Sequence, residues 1–520
     1  MFSRLTMTGK ILVGLVFAGI LFGAGYFLFP KFKEYKSATA SKEIPGLTED
    51  EVDSVLTIGL NTFGGYAVIT YMNDGVAPNK NSRMYKEFGL LLDIKQMDDR
   101  NLCKESLISD KTDAIYTTTD ISPAEMSSDG ELAKAGVVQF FKIDNSGSDL
   151  GGADVIVGTR SYNSVSDLKS TTKIACAFPT ASSTLLINWL DAGGKTVKDV
   201  EVVYVESGAK AAELFTLGQV DLAVVWSPDD VDCIDKVKGA HVVTSTKFAR
   251  SIIMDGLIAK RSTIDKKFNL FTKLCKAWMV GNSEMVDPAK RDLAAKSFAS
   301  AFNFKYDLVK DAVDKVRCAT YGDNLAFFGL NATYTGIDGD ALYTRMAKIY
   351  SKIEDPASKS YYAVNPLPWV KVSYSGVIES ITDLTGSQHS AEGQIEFAPS
   401  SKETMSKTPM ATKHVTIQFA LNSFELDNTA KDIIDREVGT TLNGWLGARI
   451  RIEGNTDKTG NRENNKTLSY KRANAVKNYL IKTYSFQENR FDVIGNGQDK
   501  PIPGGTNEMN RRTDFGLIGE

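Results

Sequence analysis

Hydrophobic and polar positions change their period several times along the chain. From Ile11 to Phe29 the run ILVGLVFAGILFGAGYFLF is apolar for nineteen residues without a charge, long enough at about 1.5 Å per residue to cross about 30 Å of hydrocarbon. This predicts one N-terminal transmembrane helix, 11–29. Beyond a polar connector, 30–51, short β-rich runs appear: VLTIGLN (Val55–Asn61), DAIYTTTD (Asp113–Asp120), ADVIVGT (Ala153–Thr159), KIACAF (Lys173–Phe178), VEVVYV (Val200–Val205) and VDLAVVW (Val220–Trp226). They alternate with helical stretches such as VITYMNDG, Ser182–Ala192 and Ala209–Leu217, which predicts an α/β sheet covered by helices. From Thr263 to Tyr350 the period is helical, and Phe268, Phe271, Leu274 and Trp278 fall on one core-facing stripe.

Residues 375–412 turn rich in Ser, Thr, Gly and Lys and read as a tether or a partly structured connector. A last domain, 413–520, follows. Its pattern is a strand HVTIQF, a helix through DNTAKDIIDREVGTTLNGWL, a strand ARIRIEGNTD, a helix from about Leu468 to Thr483, a strand RFDVIGNG, and NEMNRRTDFGLI. That is a β-α-β-α-β unit of ordinary domain size.

Composition narrows the functions available. The 520 residues carry 61 basic and 64 acidic side chains, a net charge of -3, with no basic domain of the kind that binds nucleic acid. Lys31, Lys33 and Lys36 flank the apolar run and read as membrane-edge anchors. Five scattered cysteines without a C-x-x-C pair and three histidines without a nucleophilic or acidic partner at useful spacing argue against a zinc site and against catalysis. A non-enzymatic protein without metal or cofactor is expected.

The N-terminal run has a rival reading as a cleaved signal peptide, with Ala38–Ala40 as the small-residue site. That site lies beyond the charged PKFKEYKS, too far for ordinary processing. Basic residues on both flanks, Arg4 and Lys10 before and the three lysines after, leave the orientation open. Gly19 and Gly23, with Gly14 and Ala18, form small-xxx-small pairs that let two helices approach as a homodimer contact, although glycine is also simply common in membrane helices.

In α/β sheets ligands sit outside the carboxyl ends of strands. Those ends carry Asn61, Thr62, Gly64 and Tyr66, then Thr119 and Asp120, then Thr180, Ser182 and Ser183, and finally Trp226. The turn Thr180–Ser183 opens a helix, so its hydroxyls and free N–H groups suit an anion; singly, each residue also reads as a cap or a turn. Near the end of the chain, Asp457 and Arg472 can be brought to opposite sides of one pocket by loop folding, where a zwitterion would place its ammonium on the carboxylate and its carboxylate on the guanidinium fork. The alternatives are that the two pair with each other or that Asp457 caps the helix.

The order LTIGLNTFGGYAVI, FGLLLDIKQMDD and the stretch Gly152–Asp229 resembles the periplasmic solute-binding proteins of ABC importers, of the nitrate, sulfonate and thiamine-precursor type. The resemblance implies a two-lobed periplasmic-binding-protein type II fold over 52–374, closing on a small solute at the strand-end residues named above, with an ABC permease as partner. IRIEGNTDKTGNRENNKTLSYKRANAVKNYLI, RFDVIGNGQDKPI and NEMNRRTDF resemble the OmpA-like peptidoglycan-binding domain, an α+β fold. That resemblance implies that Asp457 and Arg472 grip the diaminopimelate of the stem peptide, supported by Thr456, Asn465 and Arg511. Because the wall lies outside the inner membrane, the two together imply a single-pass inner-membrane protein with a cytoplasmic N-terminus and a periplasmic bulk. A stator-like structural subunit, linking an inner-membrane ion-driven complex to the wall, is the second expectation, although the apolar run carries no ion-binding carboxylate.

Overall fold

The structure is a computed structural model that describes Thr48 and residues 54–519, Gln394 and Leu421 excepted. The predicted transmembrane helix lies outside the described residues, and among these no helix is long and apolar enough to cross a membrane.

Strands β1 (Val55–Leu60), β2 (Leu91–Gln96), β3 (Ala114–Thr118) and β4 (Val137–Asn145) begin a first sheet. The chain then crosses to a second sheet made of β5 (Asp154–Gly158), β6 (Lys173–Ala177), β7 (Glu201–Val205), β8 (Leu222–Trp226) and β9 (His241–Ser245). It returns as β10 (Met254–Lys260) and the short β11 (Arg317–Cys318). The orders are β11-β4-β10-β3-β1-β2 and β7-β6-β8-β5-β9. In the first sheet β1 runs parallel to β2 and β3, while β10 is antiparallel to β3 and β4. Every residue of β1 and β5 is buried, as expected for strands covered on both faces. The alternation of runs therefore resolves into two α/β lobes joined by two crossings, 146–153 and 246–253.

The predicted stripe in the long helix Phe268–Glu284 faces the core: Phe271, Leu274 and Trp278 are fully buried, and Phe268 is half-buried at its edge. The ring of Phe271 meets Phe140 of β4 edge-on, with centroids 5.0 Å apart. Aromatic pairs of this kind add about 0.5–1.5 kcal/mol beyond their burial.

The last domain has the sheet order β12-β15-β13-β14, from β12 (Ala411–Val415), β13 (Arg449–Asn455), β14 (Phe491–Gly497) and β15 (Thr513–Ile518). Two expectations differ here. The strand expected over HVTIQF ends at Val415, because the chain leaves the sheet to wall a cleft with Ile417 and Phe419. The helix expected from Leu468 begins at Arg462, because the Asn461 side chain accepts the N–H groups of Glu463 and Asn464 and so caps it earlier.

The last domain has no separate core. Trp189 and Leu186 of the second lobe share one apolar cluster with Trp445, Ile450, Val476 and Phe515 of the last domain. The Trp189 indole also donates to the Met410 carbonyl at 2.9 Å. Within 375–412, Val377, Ile378, Ile381 and Leu384 are buried against the core of the first lobe. The segment is thus packed along the body over this part of its length.

Candidate functional site

The strand β13 delivers Thr456 and Asp457 just past its end. The Thr456 N–H donates to the Gly497 carbonyl at 2.8 Å and its hydroxyl to the Asp457 carbonyl at 3.0 Å, which fixes the turn. One Asp457 carboxylate oxygen accepts the Thr459 N–H at 2.8 Å, and the other accepts Arg511 at 2.7 Å. Asn465, on the first turn of the helix Arg462–Tyr484, donates to the Thr459 carbonyl at 3.0 Å and to Gln498 at 3.2 Å. Arg472 stands two turns further along. Its Nε donates to the Ser423 carbonyl at 2.9 Å, and its guanidinium lies over the Phe419 ring at 4.8 Å.

All five predicted residues line one open cleft of about 760 Å³. Asp457 neither caps the helix, a role held by Asn461, nor pairs with Arg472. Its partner is Arg511, which is 53% exposed and free to move aside. Burial works to raise the Asp457 carboxyl, but Arg511 and the Thr459 N–H outweigh it and hold it below the usual carboxylate range. Burial lowers the Arg472 guanidinium, the Arg511 charge lowers it further, and Asp457 opposes both. The cleft therefore presents the ionised Asp457 carboxylate beside Arg472 and Arg511, with Glu508 and Arg512 also on its walls. Sequence reasoning missed Phe419, Thr459 and Gln498; the end of HVTIQF was the one signal for the first.

The strand ends between the two lobes are different. Tyr66 donates to Asp255 at 3.0 Å, and Thr119 donates to the Met254 carbonyl at 3.1 Å. Thr184 donates to Asp120 at 2.6 Å, directly from one lobe to the other. Ser182 donates to Asp154 at 3.1 Å. Ser183 and the Tyr350 hydroxyl share a hydrogen bond of 2.8 Å. The Thr180 hydroxyl is turned back onto the Ala177 carbonyl, 2.8 Å away. Thr62 donates to Asp98 at 2.8 Å, and the Trp226 ring packs on Gly208. Gly64 lies where a Cβ would come within 2.8 Å of the Ala312 backbone, so it is required for close approach. Asn61 is half-buried with its carbonyl oxygen unpartnered.

This region gathers four buried carboxyl groups. Burial pushes Asp120 up to about 7 and Asp154 up to about 6. Asp144 and Asp255, neighbours on β4 and β10, are both driven up, first by burial and, for Asp255, by the Asp144 charge. At the helix start expected to hold an anion, the Ser183 and Thr184 hydroxyls are engaged by Tyr350 and Asp120. Among the described residues no group of His, Cys, Asp and Glu could hold a metal ion. All five cysteines are free thiols, four of them buried.

Comparison with known proteins bears on the last domain first. Residues 418–513 match the model of the OmpA family, so the chain carries an OmpA-family domain at its C-terminal end. Outer membrane protein Omp38 of Acinetobacter baumannii is 26% identical over 224 residues, covering 42% of this chain and 59% of that protein. The peptidoglycan-associated lipoprotein of Pseudomonas aeruginosa is 33% identical over 104 residues, 19% of this chain and 60% of that protein. The chain thus spans about three-fifths of the length of these curated relatives. Among solved structures, the periplasmic aliphatic sulphonate binding protein SsuA from Escherichia coli aligns with a TM-score of 0.47 at 16% identity, covering 67% of this chain and 97% of that one. The periplasmic nitrate-binding protein NrtA from Synechocystis PCC 6803 aligns with a TM-score of 0.39 at 11% identity, covering 50% of this chain and 69% of that one.

Proposed function

We propose that this protein grips peptidoglycan through the cleft between Asp457 and Arg472, and that it carries its two-lobed module between the inner membrane and the wall. The observation that carries this reading is the separation of charge. Asp457 and Arg472 line the same cleft without neutralising each other. A diaminopimelate-type zwitterion would set its ammonium on Asp457, displacing Arg511, and its carboxylate between Arg472 and Arg511. Thr456 and Asn465 hold the loop that presents Asp457.

The test is co-sedimentation of the full chain with sacculi. Binding to diaminopimelate-type wall is expected, with loss on Asp457→Ala and on Arg472→Ala. Equal binding by wild type and both variants would overturn the reading.

The apolar run Ile11–Phe29 supplies the inner-membrane anchor in this proposal, with a cytoplasmic N-terminus and a periplasmic bulk. Protease digestion of spheroplasts should remove everything after the anchor; full protection would reject that orientation. The two-lobed part is a periplasmic-binding-protein type II module that captures or senses a small solute, alone or with an ABC permease, by parting its lobes. Parting breaks the bonds of Asp120 to Thr184 and of Tyr350 to Ser183.

A second reading is favoured by those same bonds and by the core shared with the last domain. It makes the module a rigid structural link between a membrane complex and the wall, in the manner of a stator subunit. Native mass spectrometry separates the two: a retained small molecule supports capture, whereas co-purification with a multi-span ring-forming membrane protein supports the link.

A further inference from the structure

At the seam between the first lobe and the OmpA-family domain lies a second cavity, of about 360 Å³, lined by none of the predicted strand-end or cleft residues. Its size suits a small organic molecule. The walls are aromatic: Phe327 and Tyr334 come from the first lobe, Phe397 from the connecting segment, and Phe486 from just beyond the helix Arg462–Tyr484.

Two buried cations line this space, Lys142 from the first lobe and Arg490 from the OmpA-family domain. Lys142 on β4 is 5% exposed, and its ammonium makes no hydrogen bond or ion pair among the described residues beyond its approach to the Phe327 ring at 5.8 Å. Arg490 is 2% exposed. Its Nε and Nη2 are spent on the carbonyls of Ala448, Leu442 and Trp445, its plane lies 4.5 Å from the Phe486 ring centroid, and its Nη1 has no partner.

Three acids act on Lys142: Asp323 and Glu392, which line the same cavity, are engaged by other groups, and Asp144 is one of the interlobe carboxyls driven up by burial. Asp323 accepts from Thr320 and from the Glu392 N–H and pairs with Arg317 at 2.8 Å. Glu392 in turn lies between Arg317 and Arg250. Burial lowers Lys142 to about 8 even with Asp323 nearby, and lowers Arg490 to about 9. Buried donors left without acceptors are costly, so the Lys142 ammonium and the Arg490 Nη1 favour an acceptor in this cavity. Asn145, 4% exposed at the same wall, leaves one carbonyl oxygen without a donor, which fits a hydroxyl on the same molecule.

We infer that this cavity binds a small aromatic carboxylate carrying a hydroxyl group, its ring between Phe327 and Phe486 and its carboxylate drawn to Lys142 and Arg490. Bound there, it touches the first lobe, the connecting segment and the OmpA-family domain at once, and so fastens the domain to the lobe. This holds whether or not the Asp457 cleft binds wall.

The probe is 4-hydroxybenzoate, titrated calorimetrically against the full chain, with 4-hydroxybenzamidine as the cationic counterpart. Saturable binding of the carboxylate and none of the amidine is expected. Lys142→Met should weaken that binding by about tenfold or more, as loss of a buried charge-assisted contact does. A measurement on the wild-type chain guards against a variant that fails to fold: 4-hydroxybenzoate should protect Lys142 from acetylation by acetic anhydride, read by peptide mass spectrometry. Absence of both heat and protection, equal binding of the amidine, or undiminished binding by folded Lys142→Met would each overturn the inference. Sacculus binding should be unchanged by Lys142→Met, which keeps this result separate from the wall reading.

Discussion

Two sets of polar strand-end residues, built from the same residue types, behave in opposite ways. At the end of β13, Asp457 is held ionised at the rim of an open cleft, and its guanidinium partner sits half in solvent. Between the lobes, Asp120, Asp144, Asp154 and Asp255 are enclosed and driven toward their protonated forms. The difference lies in what faces each carboxyl. Asp457 faces two arginines and a backbone N–H, whereas the interlobe acids face hydroxyls and one another. An aspartate at a strand end is therefore a binding group in one place and a closing bond in the other, and its neighbours decide which.

The largest test of that contrast removes the core that joins the two regions. Trp189→Ala should cost about 3–5 kcal/mol of stability, as large-to-small changes in cores do, and lower the melting temperature of the second lobe and the last domain together. Two separate transitions, with only the lobe shifted, would show that the regions are independent. Next in size, Asp457→Ala should weaken sacculus binding by about tenfold to a hundredfold, the equivalent of a charged hydrogen bond of about 1.5–3 kcal/mol. It should leave the melting temperature nearly unchanged, since the cleft is open.

The interlobe acids predict the reverse pattern. A carboxyl raised in the folded state binds its proton more tightly there than in the unfolded chain, so folding is favoured at low pH. That advantage is fully present below about 4, the ordinary carboxylate range, and is lost as pH rises through about 6–7. Asp120→Asn, which keeps an acceptor for Thr184, should therefore stabilise the protein at pH 8 by about 1–3 kcal/mol, with the gain fading toward pH 4. Thermal melts across pH would check it, and a destabilised variant at pH 8 would contradict it. Tyr66, Tyr116, Tyr350, Cys176, Cys318 and Lys142 are also ionisable near this cluster, and burial raises the tyrosines and the two thiols, so they stay neutral throughout that range. The smallest effect belongs to Tyr350→Phe. It should cost about 0.5–1.5 kcal/mol and speed hydrogen exchange at the start of the helix Ala181–Ala192, where its hydroxyl meets Ser183 and Thr184.

Much of this architecture could be read from periodicity. The strands Val55–Leu60, Ala114–Thr118 and Leu222–Trp226 lie inside the predicted runs, because each is rich in β-branched, aromatic and other apolar residues and is followed by small polar residues. The crossing strands β4 and β10 were not legible, since Gln139, Lys142, Asp144 and Asp255 interrupt their apolar pattern while lying buried. Gln139 is satisfied by Thr119, 20 positions away, and Asp255 by Tyr66, 189 positions away, which no local pattern records. The resemblance named five residues that line one cleft, but the pairing of Asp457 with Arg511 was not legible, because β15 brings the arginine back beside β13 only in the folded sheet.

The shared core around Trp189 has a mechanical meaning. With Trp189 and Trp445 in one apolar cluster, the Asp457 cleft and the second lobe form a single lever arm. A load on the Asp457 cleft would pass through this shared core into the second lobe and on to the crossings 146–153 and 246–253. If that cleft holds wall as proposed, tension would bear on the bonds of Asp120 to Thr184 and of Tyr350 to Ser183, and so on the closure of the two lobes.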